Sequence, residues 1–336
     1  MRPMNLRAAG TSVTAAALAF GLSAAAAAPE ATATAPTTAA VNETATPAAP
    51  AAAAPRIAVS ITDSRLRFGQ RLVVTGRVTR GQSGRRIALE YRARGRHWRT
   101  VGRTTVGAGG RFRLSARVER NGRVRVVLAA SARTTATEAP VAAAAVQTRS
   151  RAVLVAADVA VARREIHLLR GGHATVAGVL APRVAGRLVT LERRVRGSWR
   201  RLDSARTGVR GVFRLRITAG RLGSSSLRVR FRGDGSNSPT ARGAGTLTSY
   251  RESLASWYGI YGGPLACGGR LGYDQIGVAN KSLPCGTKVT IRYHGRTVVA
   301  PVIDRGPYAG AREWDLTGAV KRRLGFDGVG VVWVTR

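Results

Sequence analysis

Asp304 closes an apolar run, Val298 to Ile303, and is followed at once by Arg305, Gly306, Pro307 and Tyr308. A strand that ends on a carboxylate and then turns on Gly-Pro delivers that acid to a fixed, accessible position. An acid presented in this way can give a proton to a leaving group and take one back. The structural alternative is a side chain that caps the backbone N–H groups of a loop. Asp315 follows in Trp314-Asp315-Leu316-Thr317 and reads either as a supporting acid or as a tie at the approach to a helix whose N-cap is Thr317. Other chemistries find no support. There is no Gly-x-Ser-x-Gly, and no Ser or Cys nucleophile has a partner His. The four histidines, His97, His167, His173 and His294, fall at no ligand spacing, so neither a metal nor another cofactor is expected.

These residues need elements to hold them. Short strands are predicted near 254–258, 275–279, 288–293, 296–303 and 330–334, with one helix near 317–324. The segment 262–273 is glycine-rich and irregular, and Cys267 lies within it. Cys267 and Cys285 are the only cysteines, and in an exported chain they read as a disulfide that pins this segment.

Export is expected from the N-terminus. Residues 1–28 have early arginines, an acid-free apolar stretch and Ala-x-Ala cleavage options, the pattern of a secretory signal peptide. Residues 29–55 are nearly all Ala, Thr, Pro and Val, too poor in large apolar groups to order, and read as a tether. No later segment is apolar for long enough to span a bilayer, so a secreted, wall-associated protein is expected.

Between tether and acid lies a duplication. Gly76, Leu89, Trp98 and Phe112 recur as Gly178, Leu191, Trp199 and Phe213 at offsets of 101 to 102 residues. Alternating apolar and polar residues with frequent Gly turns predict two antiparallel β-sandwiches, over 56–148 and 149–248, similar to immunoglobulin or fibronectin-III modules. Trp98 and Trp199 read as core more readily than as sugar platforms. The net charge of +38, from 55 basic and 17 acidic residues, lies almost wholly in arginine. For an exported chain the natural counterparts are anionic wall polymers; without aromatic interleaving or a helix-turn-helix pattern, specific nucleic-acid binding is not expected.

Trp257-Tyr258-Gly259, Leu283-Pro284-Cys285-Gly286-Thr287, Asp304-Arg305-Gly306-Pro307-Tyr308 and Asp315-Leu316-Thr317 occur in an order and spacing that resemble the RlpA-like double-psi β-barrel, a relative of expansins and barwin, over residues 250–336. The resulting fold class is all-β: two sandwiches followed by a six-stranded double-psi barrel with a short helix. The resemblance implies cleavage of peptidoglycan glycan strands between N-acetylmuramic acid and N-acetylglucosamine to 1,6-anhydro ends, with Asp304 as the catalytic acid. Asp315, Asn280 and Arg305 would support it, and Trp257, Tyr258, Tyr308 and Trp314 would line the glycan groove. Arg305 would hold the Asp304 pKa down. Trp257 is the most readily buried of the four aromatics. The chain departs from the family pattern at Gly268 to Gly272, where a Gly-Glu-x-Phe-Asp is usual, and at Asn280, where a His is usual. An expansin-like protein that binds and loosens the wall without catalysis is the alternative.

Overall fold

The computed structural model describes residues 54–336 apart from 80–81, 133–141 and 144. The signal peptide expected over 1–28 lies outside the described residues, as does the tether expected over 29–55 up to residue 53. What is described is nearly all β, with one α-helix.

The first repeat comprises β1 (Ile57–Ile61), β2 (Arg65–Arg67), β3 (Arg71–Val78), β4 (Arg86–Ala93), β5 (Arg99–Thr105), β6 (Arg111–Arg117), β7 (Gly122–Leu128), the two-residue strands β8 (Ser131–Ala132), β9 (Ala142–Ala143) and β10 (Val146–Gln147), and β11 (Arg151–Ala156). The order β1-β3-β6 forms one sheet and β2-β11-β7-β4-β5 the other. Alternation along the strands puts Leu72, Val74, Leu89, Phe112, Leu114 and Val126 into one apolar core between them. That core takes in Val153 and Val155, beyond residue 148. The reason is β11, which pairs antiparallel with β7 and parallel with β2, a long-range tie with no local turn signal.

The second repeat runs through β12 (Asp158–Val161), β13 (Arg164–Leu169), β14 (His173–Ala181), β15 (Leu188–Val195), β16 (Ser198–Arg206), β17 (Val212–Thr218), β18 (Gly223–Phe231) and β19 (Thr240–Tyr258). It has the same parallel tie, here between β13 and β19. Two glycines explain part of the repeated motif. A Cβ on Gly76 would collide with the Ala58 carbonyl and the Phe112 ring, and one on Gly178 with the Ala160 carbonyl and the Phe213 ring. Each Phe fills its core by lying across a bare Cα.

Trp98 and Trp199 are not core residues. Both are half-buried outside the apolar cores, beneath guanidinium groups: Arg125 stands 4.4 Å over Trp98, and Arg228 stands 4.1 Å over Trp199. Each arginine is also paired with a glutamate, Glu90 and Glu192, at 2.7 Å. The tryptophan repeats because it is a shelf for an arginine on the outer side of the sheet.

β19 does not stop at the end of the repeat. It continues into the C-terminal unit with β20 (Val278–Asn280), β21 (Lys288–Tyr293), β22 (Arg296–Asp304), β23 (Trp314–Thr317), α1 (Gly318–Leu324) and β24 (Gly330–Val334). The pairings β19-β23-β20-β22-β21-β24 and back to β19 close a six-stranded barrel in which β19–β23 and β20–β22 are parallel. Val278, Ile291, Val302, Leu316, Phe326 and Val332 fill its core. Thr317 N-caps α1 by accepting from the Val320 N–H, and Gly325 ends it in the left-handed conformation. Among the described residues no helix is long and apolar enough to cross a membrane.

Candidate active site

The barrel's register assembles the site. Ser256 of β19 is paired with Asp315 of β23, Asp315 with Ala279 of β20, and Ala279 with Asp304 of β22. Four neighbouring strands thus place Ser256, Asp315, Ala279 and Asp304 in one row on the barrel's outer wall. By simple alternation Asp304 would share the core-facing side of Val302. A register shift prevents that: Val278 pairs with Val302 but Ala279 pairs with Asp304, so Ile303 is an extra, bulged residue. Such a bulge re-aims the side chain that follows it. Gly277 makes room, since a Cβ there would overlap the Ile303 side chain.

Asp304 is half-buried. Its Oδ1 accepts the backbone N–H of Arg305 at 2.8 Å and of Ala266 at 2.9 Å, and among the described residues no backbone donor is hydrogen-bonded to Oδ2. The capping alternative is therefore realised on one oxygen and leaves the other without a backbone donor. Ala266 reaches Asp304 because the Cys267–Cys285 disulfide clamps its loop to the strand end, where the Cys267 N–H also donates to the Ile303 carbonyl at 3.3 Å.

Asp315 accepts from Ser256 Oγ at 2.8 Å, and Ser256 in turn accepts from Arg312 Nη1 at 3.1 Å. Burial raises the Asp315 pKa above the ordinary carboxylate value and the Asp304 charge adds to the rise, while Ser256 and Arg312 oppose it. The two acids therefore act on each other across the Ala279 methyl group. The Tyr258 hydroxyl is sealed from solvent and meets no partner in good hydrogen-bond geometry among the described residues, though it lies close to the Asp304 carboxylate; burial first, then the charges of Asp304 and Asp315 and the contact with Asp304, push its pKa up. It remains a neutral phenol beside the acid pair.

Several expected site residues are placed differently. Arg305 makes no ion pair with Asp304; its guanidinium donates to Cys285 Sγ at 3.2 Å and approaches the Asn280 and Asp304 carbonyls at 3.4 and 3.5 Å. Asn280 is buried, with Nδ2 on the Glu313 carbonyl and Oδ1 on the Ser282 and Leu283 N–H groups, so its amide is occupied in holding two loops. Trp314 is 0% exposed in the barrel core and offers no face to a sugar. Trp257, the aromatic expected to be buried, is 38% exposed, but alternation turns it away from Ser256 and Tyr258 to lie under Lys321 Nζ at 3.6 Å. Tyr308 is 78% exposed on the turn after Asp304.

Sequence reasoning missed Ser256, Arg312, and the exposed pair Tyr261 and Tyr273, whose rings are 5.1 Å apart. A serine on a strand and one arginine among many give no signal of their own; only register singles them out. Among the described residues no group of three or more His, Cys, Asp or Glu is disposed to hold a metal ion.

A closed six-stranded barrel with two parallel pairings, bearing paired acids on its wall, defines a double-psi β-barrel domain. Residues 251–335 match the family described as lytic transglycolase. The same segment is similar to proteins named "Probable endolytic peptidoglycan transglycosylase RlpA" from Synechocystis sp., 37% identical over 92 residues, 26% of this chain and 29% of that one. A protein of that name from Aquifex aeolicus is 37% identical over 87 residues, 25% of this chain and 38% of that one. "Endolytic peptidoglycan transglycosylase RlpA" of Neisseria meningitidis is 36% identical over 84 residues, 24% of this chain and 35% of that one. The C-terminal domain is RlpA-like. The chain spans about a third of the length of these curated relatives. Among solved structures, a tetra-tandem repeat from the extending region of a large adhesion protein aligns over 78% of this chain and 64% of that one at 17% identity, with a TM-score of 0.31, too loose to bear on the fold.

Proposed function

We propose that this chain is an exported peptidoglycan-acting protein whose barrel is a lytic transglycosylase. The observation that carries the reading is the row Asp315-Ala279-Asp304, two mutually coupled carboxyl groups separated by the smallest side chain that keeps a floor between them. In this reading Oδ2 of Asp304 meets the substrate. The protonated acid gives its proton to the glycosidic oxygen as the bond from C1 of the muramic acid breaks, and the bonding pair leaves with that oxygen. The sugar's own 6-hydroxyl oxygen then bonds to C1 and returns its proton to the carboxylate, so no water is consumed and the acid is regenerated. Beside it, burial and the Asp304 charge hold the Asp315 pKa above the ordinary carboxylate value. Tyr308, Tyr261 and Tyr273 supply exposed rings for sugar faces.

The test is mass spectrometry of purified glycan strands, intact and stripped of peptides, after incubation with the protein. Anhydro-ended fragments from either substrate support the reading. Binding without any product from both would favour the wall-loosening alternative. The arginine surplus of the two sandwich-like modules would assist by retaining the protein on anionic wall polymers.

A further inference from the structure

The outward face of the β1-β3-β6 sheet carries Arg71, Arg77, Arg111, Arg113 and Arg117 and not one carboxylate. Register makes this unusual. Arg71 stands directly opposite Arg117 and Arg77 opposite Arg111, with Arg113 opposite Thr75 between them. Like charges in directly opposed positions destabilise an antiparallel pair. None of the five makes an ion pair among the described residues. The module's fold does not demand the arrangement: at the same ladder of the second repeat, Thr175 faces Arg216, Ala177 faces Arg214 and Val179 faces Val212.

Two of the guanidiniums are also held in place, Arg71 Nε on Ser115 Oγ at 2.7 Å and Arg77 Nε on the Gly109 carbonyl at 3.0 Å, which leaves their outer N–H groups free. The face is thus an open strip of fixed positive charge. Neighbouring positions on it are about 7 Å apart along a strand and about 5 Å apart across the ladder. We propose that this strip is a docking surface for a linear polyol-phosphate chain, the phosphodiester polymer of a cell wall, lying along β6. Planar arginine forks match phosphate oxygens in pairs. An extended chain with one charge per short polyol repeats on the scale of that spacing, and its charges would relieve the opposed arginines; a neutral glycan would not. The inference stands on the first module and is independent of the barrel's chemistry.

The experiment uses the full chain and immobilised poly(glycerol phosphate). R77S/R111S/R113S is compared with R86S/R103S/R151S, which removes equal charge from the other sheet of the same module. The first variant should lose at least about tenfold in affinity, and the slope of log affinity against log salt should fall by two to three units, about one per lost contact; the second should lose less than about threefold. Melting temperature should hold or rise in the first variant, because repulsion is removed. If it falls instead, R111S/R113S serves, with a proportionately smaller loss expected. Equal losses in the two triple variants would replace the docking strip with a diffuse field and overturn the proposal. Single-stranded DNA or a polyuronate bound as tightly, with the same sensitivity to R77S/R111S/R113S, would overturn the choice of partner.

Discussion

Replacing Cys267 by Ser should cost both stability and activity, through one loop. The disulfide joins residues 18 apart in sequence, for which chain entropy alone gives about 3 kcal/mol. Because β19 is shared with the second module, the barrel and that module are expected to melt together as a unit of roughly 180 residues. In a unit of that size each kcal/mol moves the midpoint by about 2–4 °C, so a fall of about 6–12 °C is expected. The same bond fixes the Ala266 N–H on Asp304 Oδ1, and without it the carboxylate keeps only the Arg305 N–H. Calorimetry of the oxidised protein, the reduced protein and Cys267→Ser reads the first effect. Release of anhydro-ended fragments and hydrogen exchange at the Ala266 amide read the second. A midpoint within about 2 °C of wild type, or full activity from a variant whose Ala266 amide exchanges freely, would refute the reasoning.

The Asp304 charge raises the Asp315 pKa, so in Asp304→Asn the Asp315 carboxyl should titrate at lower pH; carboxyl-carbon NMR reads the shift, and an unchanged titration would mean that the two acids are not coupled. A folded pKa held above the unfolded value costs stability once pH rises above the unfolded value, so Asp315→Asn should be more stable than wild type at neutral pH and should lose that margin in acid, as followed by melting at several pH values. Gly178→Ala should destabilise by about 1–3 kcal/mol in denaturant melts, since the new methyl collides with the Ala160 carbonyl and the Phe213 ring. Trp314→Ala should cost about 3–5 kcal/mol as a core deletion, whereas Tyr308→Ala should leave stability within about 0.5 kcal/mol and weaken glycan binding, as measured on isolated strands.

The duplication was readable because Gly76 and Gly178 each need a bare Cα beneath a Phe, a steric demand that leaves a mark at fixed spacing. The turn after Asp304 was readable for a similar local reason. The strand Trp314–Thr317 was not anticipated, because four residues with a polar one among them give no period. The burial of Trp314 depends on that strand. Asn280 and Arg305 looked available because their partners, the Glu313 carbonyl and Cys285 Sγ, are distant in sequence. Trp98 and Trp199 looked like core because recurrence marks a constraint without saying which side of the sheet imposes it. The acid pair itself depends on a bulge at Ile303, a one-residue shift that no composition or alternation reveals.

The most direct test is Asp304→Asn in the full chain, with glycan products resolved by mass spectrometry and the fold checked by melting. Asparagine keeps an oxygen to accept the Ala266 and Arg305 N–H groups, so the barrel should melt within about 1 kcal/mol of wild type while losing the carboxyl proposed as the proton donor. The account predicts a folded protein that still binds glycan strands and releases no anhydro-ended fragments. Wild-type levels of anhydro product from the folded variant would contradict it.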